Sequence, residues 1–264
     1  MNICPYLESK SILEMLMNQK LRITFILVLC VLACIGFKNE NMKKVSEYRV
    51  VKLEKPMPID GNWDKMEWQK VEAIQLEHFM GEAPKFRPIV NAKMMYDANN
   101  LYVIFQVADR YIRCVTNKTN GPVYEDTCVE FFFSPDQNSQ LQYFNLETNC
   151  GGTALMYYNL IPRKDYIVMD TDDIQKIEIA HSMPEIVDPE ITKSVIWTLE
   201  YKLPLELLKK YATVSQPAPG VVWKGNCYKI ADKTSNPHYL TWSLIDQIEP
   251  DFHLPQFFGT LIFN

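Results

Sequence analysis

From Arg49 onward, apolar and polar residues alternate with a period of two, interrupted by turn residues about every ten positions. The sharpest instance is Tyr124-Glu125-Asp126-Thr127-Cys128-Val129-Glu130-Phe131-Phe132-Phe133-Ser134-Pro135. Thr127, Val129, Phe131 and Phe133 share one face, while Asp126, Cys128, Glu130 and Phe132 share the other. The first set suits a core. The second carries two carboxylates that must stay near water or find partners, which fits a binding surface. Tyr143 to Asn149 splits the same way, with Phe144 and Leu146 against Asn145, Glu147 and Asn149. Leu101 to Val107 and Val195 to Leu203 each place a full apolar row on one side. Further strands are expected over 49–53, 90–96, 154–159, 223–231, 239–243 and 258–263.

Between these runs the punctuation is local. Pro58-Ile59-Asp60-Gly61 and Asp97-Ala98-Asn99-Asn100 read as turns, and residues 110–123 as a longer loop. Trp63 and Trp68 lie in a segment suited to one or two helical turns, and 165–174 reads as acidic and exposed. Pro204 opens one short helix over 205–211, with Lys209 and Lys210 near its C-terminal end. Many short strands and one helix, without a repeat or a splitting linker, predict a single all-β domain: an antiparallel β-sandwich over 49–264.

The first part of the chain has a different character. Lys20 and Arg22 precede an apolar run from Ile23 to Phe37, a charged region followed by a short hydrophobic one. A bilayer span needs about 20 apolar residues, so residues 1–38 are read as a signal peptide. Val31-Leu32-Ala33-Cys34 resembles a bacterial lipobox, which would make Cys34 a lipidated N-terminus; ordinary cleavage that discards Cys34 is the alternative. Residues 39–48 are then a polar tether, and the protein is expected in the periplasm or at the cell surface, held to a membrane by its lipid.

Composition narrows the partners. The net charge of -5 with no basic block argues against nucleic acid. Cys114, Cys128, Cys150 and Cys227 fall in the folded part; two disulfides are permitted, but apolar surroundings favour free, buried thiols. Neither Cys nor His shows zinc spacing, and the twelve Met offer no matched Met/His pair for haem.

Several residues carry candidate chemistry. Glu130 and Glu147 lie on adjacent expected strands and face one another in one reading, the arrangement of a glycosidase pair. His238 and His253 occupy loops, where a hydrogen-bonded structural role competes with metal binding. Lys229 and Asp232 form either an ion pair or a hydroxyl-reading pair, and Trp242 reads as core.

Five ordered segments then resemble family 9 carbohydrate-binding modules, of the wider DOMON-like type. These are Ile59-Asp60-Gly61-Asn62-Trp63-Asp64 with Trp68, Tyr96-Asp97 with Leu101-Tyr102-Val103, Glu125 to Phe132, Phe144 to Asn149 with Gly152-Thr153, and a C-terminal run. That run holds Asn226 to Lys229, Asp232, Pro237-His238, Trp242, Pro250 to His253, Pro255 and Phe258-Gly259, and is similar to a stand-alone exported branch. The resemblance implies a carbohydrate partner, held by two aromatic clamps and polar readers of its hydroxyls. The clamp positions, tryptophans in the relatives, align with Tyr124 and Phe252, and a sugar-binding arginine aligns with Asn145. The site expected on this basis is Tyr124, Phe252, Glu125, Asp126, Glu130, Asn145, Glu147, Asn226, Lys229 and His253, with no metal ligand and no cofactor. Calcium, which the relatives carry, is left open. The expected function is an exported glycan-binding protein supporting polysaccharide catabolism, rather than an enzyme. The alternatives are a glycoside hydrolase using Glu130 and Glu147, and an interaction domain with a decayed site.

Overall fold

A computed structural model describes residues 45–139 and 141–264. The expected signal peptide, Cys34 and most of the tether lie outside the described residues. The alternating runs become strands β1 (Glu47–Lys52), β2 (Ile74–Gln75), β3 (His78–Phe79), β4 (Ile89–Tyr96), β5 (Asn100–Asp109) and β6 (Ile112–Cys114). Next come β7 (Cys128–Ser134), β8 (Tyr143–Asn149), β9 (Ala154–Ile161) and β10 (Asp165–Val168), then helix α1 (Thr171–Ile174). Strands β11 (Glu178–His181), β12 (Val187–Ile191) and β13 (Val195–Pro204) lead into α2 (Leu205–Lys209), and β14 (Val222–Ile230), β15 (Tyr239–Thr241) and β16 (Gly259–Phe263) finish the chain.

The hydrogen-bonded path runs β10-β9-β8-β7-β14-β16-β1-β4-β5-β13-β11. It folds into a β-sandwich at β1, whose first four residues pair with β16 and whose last two pair with β4. Both pairings are parallel, the exception in an otherwise antiparallel design. The far edge of β14 also forks: Val222 to Gly225 pair with β16, and Tyr228 to Ile230 with β15.

The main core fills the space between the layers. Val129, Phe131 and Phe133 of β7 meet Phe144 and Leu146 of β8, with Trp68, Trp197 and Trp223 fully buried. A second, smaller apolar cluster lies on the opposite face of the same strands, around Cys128, Phe132, Tyr143, Leu155, Tyr228, Phe252 and Phe258. β7 is thus buried along its whole length, on both faces.

The Asp60-to-Trp68 segment is fastened by one buried carboxylate. Glu200 of β13 accepts hydrogen bonds from Trp68 Nε1 at 2.9 Å, Lys65 Nζ at 2.6 Å and the Gly61 amide at 2.8 Å. Gly61 sits at φ +73°, a conformation L side chains avoid.

Some expectations need correction. Residues 110–123 contain β6, which pairs with β12 as a separate two-stranded ribbon. The acidic stretch 165–174 holds the exposed edge strand β10 and then α1, in which Asp173 and Ile174 are buried. Two short α-helices form among the described residues, where one was expected.

Candidate ligand-binding cleft

Register decides which side chains share the outer face of the sheet. Glu130 lies opposite Glu147 across β7 and β8, and opposite Tyr228 across β7 and β14. On β8 and β9, Asn145 faces Tyr157, Glu147 faces Leu155 and Tyr143 faces Asn159. Together with Phe132 and Ile230, most of these residues floor a cleft of ≈ 550 Å³. Such a volume lies within the range of small-ligand sites.

Three loops supply the walls. Tyr124, on the turn before β7, is 38 % exposed and stands at the rim. Phe252, only 6 % exposed, stacks on Tyr228 with ring centroids 4.1 Å apart and 9° between planes, and Tyr239 meets its edge. Tyr157 and Tyr166 stack at 5.2 Å and add an aromatic wall from β9 and β10. Arg163, in the turn between those strands, binds Asp251 through Nη2 at 2.6 Å. Asp251 in turn accepts the His253 amide at 2.9 Å, so the β9–β10 turn is tied to the loop carrying Phe252.

The floor is a polar relay. Asn159 Nδ2 donates to Asn145 Oδ1 at 2.6 Å, and Asn145 Nδ2 donates to Glu147 Oε1 at 2.8 Å. Glu147 Oε2 is buried without a hydrogen-bond partner. Burial pushes Glu147 up to about 7, against the lowering effect of the Asn145 hydrogen bond. Burial, then the neighbouring Glu147 charge, push Glu130 well above the usual carboxylate range. His253 bonds the Tyr143 hydroxyl through Nδ1 at 2.7 Å, and burial, followed by the Arg163 charge, draws it down to about 4.

Of the ten residues expected at the site, the cleft brings together Tyr124, Phe252, Glu130, Asn145, Glu147 and His253. The other four lie elsewhere. Glu125 pairs with Lys233 at 3.0 Å. Asp126 is buried and saturated by Arg113, the amides of Val115 and Thr116, and Asn149, which pins the loop ahead of β7. Asn226 sits at the β14 fork, donating to the Ser243 carbonyl and accepting from its amide, so it replaces the ladder bonds lost there. Lys229 has the parity of Cys227 rather than Tyr228 and points into the interlayer core. There it pairs with Asp109 at 3.3 Å and donates to His238 Nε2 at 2.7 Å. Asp232, considered as its partner, instead accepts the Tyr239 hydroxyl at 2.5 Å. Trp242 packs in the core, edge-on to Tyr48.

Sequence reasoning missed Tyr157, Asn159, Arg163, Tyr166 and Tyr239. The β9 pair was legible in principle, because an antiparallel register with β8 places Tyr157 beside Asn145. Among the described residues, no group of three or more His, Cys, Asp or Glu could hold a metal ion. The four described cysteines are free and buried.

Comparison with known proteins bears on this geometry. The family model described as Carbohydrate-binding family 9 matches residues 57–263. A solved structure from Bacteroides uniformis ATCC 8492, described as a carbohydrate-binding protein, is 26% identical with a TM-score of 0.75, covering 84% of this chain and 100% of its own. A family 9 module from Caldicellulosiruptor kristjanssonii, solved with cellotriose, is 14% identical with a TM-score of 0.58, covering 83% of this chain and 93% of its own. The same organism's module solved with glucose gives the same identity and score, covering 83% and 96%. No curated protein matches.

Proposed function

The chain belongs to carbohydrate-binding family 9, and from that premise we propose that it binds a glycan in the cleft over β7, β8 and β9. The observation that carries this reading is the convergence of Tyr124 and Phe252, from loops 128 residues apart (252 − 124), on one hollow floored by Glu130, Asn145 and Glu147. Sugar rings present C–H faces that stack on aromatic rings, and hydroxyls that need paired donors and acceptors. Tyr124 and Tyr157 offer ring surface, Phe252 an edge held rigid by Tyr228, and the carboxylates and Asn145 the polar contacts. Exported through its first 38 residues and anchored at Cys34, the protein would hold polysaccharide near a bacterial surface for catabolism. Binding on a glycan array, weakened by Tyr124→Ala, is the expected result; an unchanged profile in that variant removes the cleft from the account.

Binding is favoured over hydrolysis by the electrostatics of Glu130 and Glu147. A glycosidase pair has environments that drive the two carboxyls apart, one an acid and one ionised. Here both are driven upward. A reducing-sugar assay on array-positive glycans is expected to show no turnover above the Glu130→Gln variant.

A further inference from the structure

The cleft is unusually acidic for a site lined by so many rings. Four carboxylates face it, from Glu130, Glu147, Asp232 and Asp251, against the single guanidinium of Arg163. Two of the four are satisfied locally: Asp251 by Arg163, and Asp232 by the Tyr239 hydroxyl. Glu147 is satisfied on one oxygen only, by Asn145, and among the described residues no ion pair reaches Glu130 or Glu147. They are direct cross-strand partners, a placement that sets their Cβ atoms about 4.5–5.5 Å apart. The nearest cations are spent elsewhere, Arg163 on Asp251 and Lys229 on Asp109 in the interlayer core. His253 stays neutral in its contact with Tyr143. Asn145 Nδ2 is bonded to Glu147 Oε1, and Glu147 Oε2 remains buried with no hydrogen-bond partner.

We propose that the ligand is a sugar bearing a free amine, its ammonium group seated between Glu130 and Glu147; this rests on the sugar-binding reading of the same cleft. An ammonium brings three N–H donors and one positive charge, which matches a buried carboxyl pair with Glu147 Oε2 left without a partner. A neutral hydroxyl brings one donor and no charge, so the pair must either keep its protons or be buried as two like charges, the costlier arrangement. A calcium ion favours several carboxylate ligands, and among the described residues no three or more His, Cys, Asp or Glu are grouped to hold a metal ion. The aromatic walls of Tyr124, Tyr157 and Phe252 select a ring over a linear amine.

The test is a glycan array holding free-amine, N-acetylated and neutral oligosaccharides, followed by calorimetry on a free-amine hit and on the same compound after chemical N-acetylation. In buffer near pH 7, where Glu147 is titrating and the sugar amine still carries its proton, acetylation is expected to weaken binding about tenfold or more, the scale of one charge-assisted contact. Glu147→Gln and, separately, Glu130→Gln are expected to shrink that ratio towards one, with unchanged circular dichroism confirming the fold. Hits confined to neutral or N-acetylated glycans overturn the amine inference and leave sugar binding standing. No hit of any class overturns both.

Discussion

At the scale of single residues, two aromatic positions of similar chemistry are embedded differently, and that separates what their removal does. Tyr124 is partly exposed and makes few internal contacts, so Tyr124→Ala is expected to cost under about 1 kcal/mol of stability while weakening glycan binding several-fold. Phe252 is buried on Tyr228 within the second apolar cluster, and Phe252→Ala is expected to cost about 3–5 kcal/mol of fold stability as well. Urea denaturation run beside ligand titration distinguishes the two; equal stability losses would contradict the burial difference. Lys229 supplies the opposite lesson. Trp223 to Ala231 mixes apolar and polar residues on both sides of a central strand, Lys224 and Asn226 with Tyr228 and Ile230 on one and Lys229 with Trp223 and Cys227 on the other. Its parity is therefore hidden in the sequence, and Lys229 reads equally well as floor or core. The structure sets it against Asp109 and His238. Lys229→Met is expected to destabilise by about 3–5 kcal/mol, because Asp109 would be left as an unpaired buried charge, with no change in ligand preference once folded.

At the scale of elements, the strands were legible wherever one face was apolar and the other polar. The boundaries of β4, β5, β8, β13 and β14 fall within three residues of the expected ones. The failures share a cause. β6, β11 and β12 are short, partly exposed pieces whose pairing is set by tertiary contacts, and no alternation marks them. Glycines at strand junctions are a similar case, since their role is close approach rather than pattern. A Cβ at Gly259 would sit 2.6 Å from Trp242 Cζ3 and 2.8 Å from the Ser46 carbonyl, where β16 begins beside β1. A Cβ at Gly151 would meet Cys114 Sγ at 2.7 Å and the Glu185 carbonyl still closer. Gly259→Ala is expected to destabilise by about 1–3 kcal/mol, the usual range for overpacking. A thermal melt within a degree or so of the parent would mean that β16 shifts freely, contrary to its pairing with both β14 and β1.

At the scale of the whole molecule, buried titratable groups pull stability in opposite directions as pH changes. Glu130 and Glu147 are raised on folding, chiefly by burial, so the native state holds protons that the unfolded state has released. Their contribution is fully present below the unfolded value of 4.5 and is lost as pH rises through the raised folded values, about 7 for Glu147. His238 and His253 are lowered, again chiefly by burial, to about 3 and about 4. Their contribution is present above 6.5 and is lost as pH falls towards those values. Between 4.5 and 6.5 the two pairs oppose one another, two groups against two, and stability is expected to change little. Below 3.8 the depressed Asp60 and Asp97 add to the acid loss. Above 6.5 the histidines are neutral in both states and the carboxylate pair still titrates, so stability is expected to fall through neutral pH, until the buried Cys128 and Cys227 thiols, also raised by burial, add to the loss above 9.0. Urea midpoints measured across this range in the parent and in the Glu130→Gln/Glu147→Gln double variant isolate the cause. The double variant should hold level through neutral pH, where the parent declines; parallel curves would place that loss elsewhere. The same measurement with a saturating amine-bearing glycan should flatten the parent's decline, because a bound cation removes the reason for the pair to keep a proton.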